Sequence, residues 1–476
     1  MPLERWLQST RRRLRTLPLQ CRIPNSSDAN IPHLEQPIHS ISRNNRKEMI
    51  KAAFLTLSTV VFASTVMAQK IEPIIHEDPI TRESAQKEYK KQLELAHKEG
   101  IPITFNEVVA QIPSVPDDKN AAIFYKQLND KKFPLLTEPQ NLLASARNPK
   151  DLDQAAAKAL FVKHEEYFSL IIAGTNLPGC NYQRDWTKGY VVLFPEFARM
   201  KNGAYMLALR AHLAASQNDP ESAVSDLQRI KTLARHTAIE PTTIARLVAG
   251  ALQQIAAREA ADLAIYYPEV AAYKSALDDI VKSWPQRNPQ KEMANDFPGF
   301  LDMINNAENR EYFKSLGLPD DEIPEILALG TPAEQLMAKA DMIAYYRRWH
   351  DSYTLPQPES IHQAMSTGVW MNFKMAQFPA MRQLLMSLMP EVLSTRDRFQ
   401  GPVQRLAFQA ARRAISARNP NGAFPKTIQT DDLVVPYVNL PMQYESNGTS
   451  FTVSVLIPGH ELFGGEETFS YTFPRT

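Results

Sequence analysis

From Pro195 onward, apolar positions recur at three- and four-residue spacing: Met200, Ala204, Leu207, Ala208, Ala211 and Ala215. That is the period of a helix with one buried face. Pro195 suits a first helical position, because its missing N–H is one that a helix start leaves unpaired anyway. Asn218-Asp219-Pro220 interrupts the pattern, and Ala223, Leu227, Ile230 and Ala234 resume it up to about His236. Glu240-Pro241 opens a third segment, in which Ile244, Leu247, Val248, Ala251, Leu252 and Ile255 make a broad apolar face. Tyr267-Pro268 turns the chain into a fourth, with Ala272, Ala276, Leu277 and Ile280, stopped by Trp284-Pro285. Short connections make antiparallel neighbours, so the pattern predicts two αα-hairpins packed into one core. The many alanines let the helix axes approach closely.

The flanking pattern is less regular. Residues 82–99 read as a charged helix with a narrow stripe of Ala85, Tyr89, Leu93 and Ala96, ended by Gly100 and Pro102. Residues 112–116 read as an extended strap, since Pro113 and Pro116 bias their predecessors away from helix. Asp117 or Asp118 then caps a helix through Ala121, Ala122, Phe124, Tyr125 and Leu128. A further helix covers about 150–173. The loop from Gly174 to Gly189 carries Cys180, Tyr182, Asp185 and Trp186. Past Trp284, shorter helices are expected at about 289–296, 299–314 and 321–329. Thr331-Pro332-Ala333-Glu334 is a capping box with proline at the first helical position, opening a helix to about Trp349.

A helix at roughly 368–394 carries Met371, Met375, Met381, Met386 and Met389. Such a face suits an adaptable binding surface, but at helical spacing ordinary core packing accounts for it. The last helix, Val403–Ala417, leads into Asn421-Gly422-Ala423-Phe424-Pro425. Alternating segments follow at Leu433–Val438, Met442–Glu445, Phe451–Leu456 and Thr468–Phe473, with Asn447-Gly448 as a two-residue hairpin signal. The predicted fold is mainly α: packed antiparallel helical hairpins with a small C-terminal α+β module. The expected divisions are a leader at 1–48, a signal segment at 49–68, a helix and strap at 69–116, a helical domain at 117–400 and the module at 401–476.

Composition narrows this picture. The chain has 476 residues, 16 glycines and 35 prolines. Few glycines argue against an all-β protein or a phosphate-cradling loop enzyme, and many prolines fit helices with sharp ends. Residues 52–68, AAFLTLSTVVFASTVMA, look like a secretory h-region, with Val66 and Ala68 at the −3 and −1 positions before Gln69. Met49 followed by Lys51 makes an ordinary signal start, and Arg11-Arg12-Arg13 belongs to a leader without periodicity. The alternative is an uncleaved signal anchor, for which the basic leader is suited. Cleavage removes ten of the 53 basic and four of the 52 acidic groups and leaves a mildly acidic chain. That balance gives no support for nucleic-acid binding. Of two cysteines only Cys180 then remains, which excludes an internal disulfide.

Candidate chemistry is sparse. The densest polar-aromatic cluster is Tyr345 to Asp351, in which Tyr345, Arg348, Trp349 and His350 are the candidate ligand-binding residues. Arginine beside aromatic rings suits carboxylates or sugars, yet basic residues also favour a helix C-terminus. Cys180 lacks a histidine nearby in sequence, and a small buried residue in a tucked loop explains it. Glu165-Glu166 and Asp278-Asp279 point about 100° apart on a helix and are poor acid–base pairs. His460-Glu461 lacks the H-E-x-x-H spacing of a zinc site, and Asn447-Gly448-Thr449 matches a glycosylation acceptor that a hairpin turn also accounts for. No catalytic residue, metal or cofactor is assigned.

Three resemblances accompany these residues. The segments VPDDKNAAIFY, PGCNYQRDW and LFPEFARM, with LRAHLAASQNDPESAVSDLQ, LARH and EP, resemble a group of exported bacterial proteins of unassigned function. That likeness implies fold and export but no activity. The first hairpin looks loosely like one tetratricopeptide unit, but the next proline turn, at Pro268, falls well beyond the roughly 34-residue period of a tandem array. The G-x-aromatic-P stretch and small sheet resemble the globular half of type II secretion pseudopilins. The preceding helix is basic and internal (Arg405, Arg412, Arg413), so pilus assembly does not carry over. The reading favoured by the sequence is an exported, non-enzymatic envelope protein, periplasmic or extracellular, that binds a partner protein or polymer through its hairpins. It would contact a membrane only if residues 52–68 stay uncleaved. The alternative is a glycan-acting hydrolase or lyase of helical-toroid type, an analogy at the level of fold. Small-molecule binding lacks the alternating βαβ pattern such proteins usually show.

Overall fold

The computed structural model describes residues 80–474, apart from 131–132, 147, 187–193, 285–287, 307–308, 316–330, 353–358, 360–362, 364–365, 368–394, 437 and 459–466. The leader and signal segment, the helix expected at 321–329, the methionine-bearing helix and His460-Glu461 lie outside the described residues. The chain is mainly helical and ends in a small antiparallel β module. It divides into two units. Of the described residues, one gathers those of 80–92 and 302–344, and the other those of 93–301, 345–367 and 395–474.

In the larger unit the expected hairpins form as α7 (Pro195–Ser216), α8 (Pro220–Thr237), α9 (Thr243–Tyr266) and α10 (Ala271–Lys282). They follow α1 (Arg82–Lys98), α2 (Phe105–Val109), α3 (Ala122–Gln127), α4 (Glu138–Ser145), α5 (Gln154–Lys163) and α6 (Glu165–Thr175). Helix α8 packs on α7 and α9, and α9 on α7 and α10. Ala204, Ala208 and Ala211 of α7, Ala223 of α8, and Ala256, Ala260 and Ala264 of α9 are fully buried, so backbones meet with little side chain between them. Asp219 accepts from Ser222 N and Thr242 from Ala245 N, capping α8 and α9. Two polar links cross the hairpins: Arg210 grips Asp226 with two hydrogen bonds, and His212 Nε2 lies 2.8 Å from Glu259 Oε2.

The β module belongs to the same core. Helix α14 (Thr395–Ser416) lays Ala407, Ala410, Ala411 and Ala414 into it and packs on α9, α10 and the sheet. Strands β1 (Val434–Val435) and β2 (Leu440–Pro441) make a short ribbon. Strands β3 (Gln443–Ser446), β4 (Phe451–Ile457) and β5 (Glu467–Phe473) make an antiparallel sheet in that order. Phe451, Val453, Val455 and Ile457 alternate inward along β4, each burial worth about 1.5–3 kcal/mol. Trp284 stacks on Phe408, centroids 5.7 Å apart. Arg258 of α9 donates to Thr472 O at 2.7 Å with its guanidinium 4.3 Å over Phe473. Arg418 donates to Ile265 O, and Arg412 lies 3.3 Å from Asp278.

Several expectations shift. Residues 117–119 coil into a 3-10 turn, which places Asp117 and Asp118 too early to cap α3; Asn120 Oδ1 accepts from Ala122 N instead. The helix expected over 150–173 is two, broken at His164, whose φ −118 and ψ 29 are not helical. Helix α11 (Pro289–Asn305) continues through Pro298, and α14 begins eight residues before Val403 and contains Pro402. Burial of Phe297, Phe300 and Ile304 on α11 offsets the hydrogen bond the proline lacks. The β3–β4 connection is four residues, since Ser446 pairs with Phe451. Only Gly448 in it takes a positive φ, so the type I′ turn that Asn-Gly favours, which needs two such residues, does not form.

The smaller unit includes α12 (Arg310–Ser315) and the first turns of α13 (Pro332–Ser352), where Thr331 and Glu334 form both halves of the capping box. Tyr89 donates to Asn305 Oδ1 at 2.8 Å and Tyr312 to Asp302 Oδ2 at 2.8 Å.

Close approach is tested by two glycines. A β-carbon on Gly174 would strike the buried ring of Tyr125, whereas one on Gly250, mid-helix in α9, meets nothing within 4 Å. Gly174→Ala should cost about 1–3 kcal/mol in chemical denaturation. Gly250→Ala should gain about 0.5–1 kcal/mol. Equal effects from the two would contradict this packing.

Candidate functional site

The segments that carry the bacterial resemblance, far apart in sequence, converge beside α7 and α8. Asn120 ends the strap; its Nδ2 donates to Asn181 O at 2.9 Å, and its Oδ1 accepts from Asn181 N at 2.8 Å. Gly179 and Asn120 form a parallel bridge, with Ala121 N donating to Gly179 O. A β-carbon on Gly179 would press on Val115, so the strap and loop are zipped backbone to backbone. Asn181 Nδ2 adds a bond to Pro113 O at 2.9 Å.

This zipper carries Cys180, Tyr182 and Arg184 inward. Burial pushes the Cys180 thiol up to about 12, against a smaller opposing pull from its hydrogen bond with Tyr182. The thiolate needed for nucleophilic attack is therefore scarce near neutral pH. Tyr182 donates to Met200 Sδ at 3.0 Å. Tyr125 OH lies 3.0 Å from His236 Nδ1, and burial pushes His236 down to about 4, leaving a neutral imidazole. Cys180 and His236 thus share a neighbourhood without forming an activated pair.

Arg184 anchors the loop. It pairs with Glu196 Oε1 at the start of α7, and its Nε donates to Glu240 Oε1 at 3.0 Å, ahead of α9. The guanidinium stacks on Tyr182 at 4.5 Å and Phe194 at 4.4 Å. Its side chain is 10% exposed and those of Glu196 and Glu240 1% and 2%, so the charges are enclosed. Burial raises Glu240, opposed by the attraction of Arg184. Asn129 Nδ2 reaches Glu196 Oε2 at 3.5 Å. What this arrangement does is fasten the strap and loop to two helix starts; it presents no reactive group to solvent.

The cluster singled out by sequence lies elsewhere, at the end of α13. Tyr345, Trp349 and His350 are buried, and Arg348 is half-buried. Tyr345 and Trp349 meet edge to face with centroids 5.9 Å apart. Tyr346 donates to Met293 O and its ring lies 4.7 Å from Phe297. Arg347 grips Glu99 through two nitrogens. Burial lowers His350, opposed by Asp351, whose Oδ1 is 3.5 Å away. These contacts hold a helix end to its neighbours. Asp279 pairs with Lys231, and Asp278 lies beside Arg412, both as surface ion pairs. Among the described residues no group of three or more His, Cys, Asp or Glu could hold a metal ion, and no helix is long and apolar enough to cross a membrane.

Helix α9 carries two exposed apolar side chains about one turn apart. Ile244 and Leu247, expected in a continuous core face, are 51% and 42% exposed, with Val248 and Ala251 partly covered beside them. At seven-residue spacing Ile244, Ala251 and Arg258 share one side of the helix. At Arg258 that side is covered by Phe408 and Phe473; at Ile244 it is open. Asp296 of α11 fixes the open end, both carboxyl oxygens lying 3.4 Å from Thr243 N. Burial pushes Asp296 up to about 7, with Glu292 adding repulsion.

Comparison with family models, curated proteins and solved structures finds no match to this chain. The likeness to exported bacterial proteins rests on the converging motifs alone.

Arg184 supplies the direct test. Arg184→Met leaves two buried carboxylates without a counter-charge and should cost about 3–5 kcal/mol in chemical denaturation. Adding Glu196→Gln and Glu240→Gln should recover most of that loss, since the three groups act as a unit. A loss below about 1 kcal/mol for Arg184→Met would show that the clamp is not enclosed as described.

Proposed function

We propose that this chain is an exported, non-enzymatic envelope protein that binds a partner protein along its helical hairpins, with the Ile244–Leu247 ridge of α9 as the contact. The observation that carries the reading is the half-covered stripe of α9. Its later turns already receive a helix, α14, whose contact face is built from alanines. The open turns continue that interface, so a partner helix with a small-residue apolar face fits the same surface chemistry. Aliphatic side chains favour such a protein surface over a glycan, which needs hydrogen-bonding groups. The enclosed state of Cys180, His236 and Arg184 is consistent with a scaffold held rigid behind this surface.

The test is crosslinking in an intact envelope fraction, with mass mapping of the linked peptides. A partner peptide joined within the α9 ridge is expected, and Ile244→Glu with Leu247→Glu should reduce its yield at least tenfold. Because both side chains face solvent, the melting temperature should stay within about 2 °C of the parent. The same link recovered at undiminished yield from the double variant would reject the ridge as the contact.

A further inference from the structure

We propose that Asn447, at the tip of the β3–β4 hairpin, is an N-glycosylation acceptor for an oligosaccharide carried on a polyprenyl diphosphate. The proposal rests on the export reading above. Asn447-Gly448-Thr449 has the acceptor pattern, which requires a surface loop and a hydroxyl two residues on. The turn meets both needs, with Asn447 and Thr449 exposed.

The hydrogen bonds of the turn divide the amide in two. Asn447 Oδ1 accepts from Thr449 N at 3.0 Å, Thr449 Oγ1 at 3.0 Å, Ser450 N at 2.7 Å and Ser450 Oγ at 3.1 Å. Nδ2 makes no hydrogen bond to any described residue, so a sugar can join it without breaking a bond of the turn. The hairpin tip is fastened through the backbone of Gly448: Phe424 N donates to Gly448 O at 2.8 Å, and Gly448 N to Ser446 Oγ at 3.1 Å. Neither bond uses Nδ2, so a glycan there leaves these ties intact.

In the transfer, Nδ2 forms a bond to C1 of the reducing sugar as the C1–O bond to the diphosphate breaks. Polyprenyl diphosphate leaves with the electron pair, and one Nδ2 proton passes to a base of the transferase. Four donors on Oδ1 stabilise the negative charge that gathers there as the proton departs, which makes that proton easier to remove.

The experiment is peptide mass analysis of the chain isolated from the cells that encode it, reading the segment around Asn447 and the N-terminal peptide together. The expected result is a mature start at Gln69 and a glycan mass on Asn447. That mass should disappear in Asn447→Gln and in Thr449→Ala, and persist in Thr449→Ser, which keeps the hydroxyl. A chain starting at Gln69 with Asn447 unmodified overturns the proposal and leaves export standing. A chain retaining residues 49–68 with Asn447 unmodified overturns the proposal and shows residues 52–68 to be an uncleaved anchor.

Discussion

The structure turns on one guanidinium enclosed by two carboxylates. Arg184 sits on the tucked loop after α6, where it meets Glu196 at the head of α7 and Glu240 ahead of α9. Enclosed ion pairs of this kind add little net stability, because each charge loses its water. What they provide here is position: the loop, the strap and two helix starts have one arrangement in which all three charges are satisfied. The aromatic rings of Tyr182 and Phe194 keep water from the guanidinium and so strengthen the attraction that holds it.

Behind that clamp, alanine decides how closely helices approach. Alanine faces on α7, α8 and α9 let three helices share a narrow core, and the same device on α14 brings the β module into it. Arg258 and Arg418 then tie α9 to β5 and the end of α9 to the segment after α14. The module is thereby a wall of the hairpin core, and its coverage of α9 stops short of Ile244 and Leu247. The apolar stripe that α14 and the sheet leave open there is the observation from which a partner is proposed.

The architecture was largely legible because it is written in local signals. Pro195, Asp219-Pro220, Thr242 and the capping box at Thr331 mark helix starts that form as their chemistry requires. Where the reading failed, a tertiary contact overrode a local one. Pro298 and Pro402 signal boundaries, yet packing carries both helices through them. Asn447-Gly448 signals a tight turn, but hydrogen bonds from Thr449 and Ser450 open it to four residues.

The Arg184 clamp was illegible for a different reason. Its members are separated by long stretches of sequence, and each has a bland local explanation: a loop arginine, a first-turn glutamate, a glutamate before proline. The aromatic residues bracketing Arg184 were the one available signal. The α9 ridge was missed because periodicity reports an apolar face without reporting whether anything covers it.

The central claim, that strap, loop and hairpins are one locked body, is tested most directly by native-state hydrogen exchange at Ala121 N and Asn181 N. Their bonds to Gly179 O and Asn120 Oδ1 are the zipper itself. Both amides should exchange only with global unfolding, at the rate of the buried amides of α7 and α8. Exchange through a separate, low-energy opening, with α7 and α8 still protected, would contradict it.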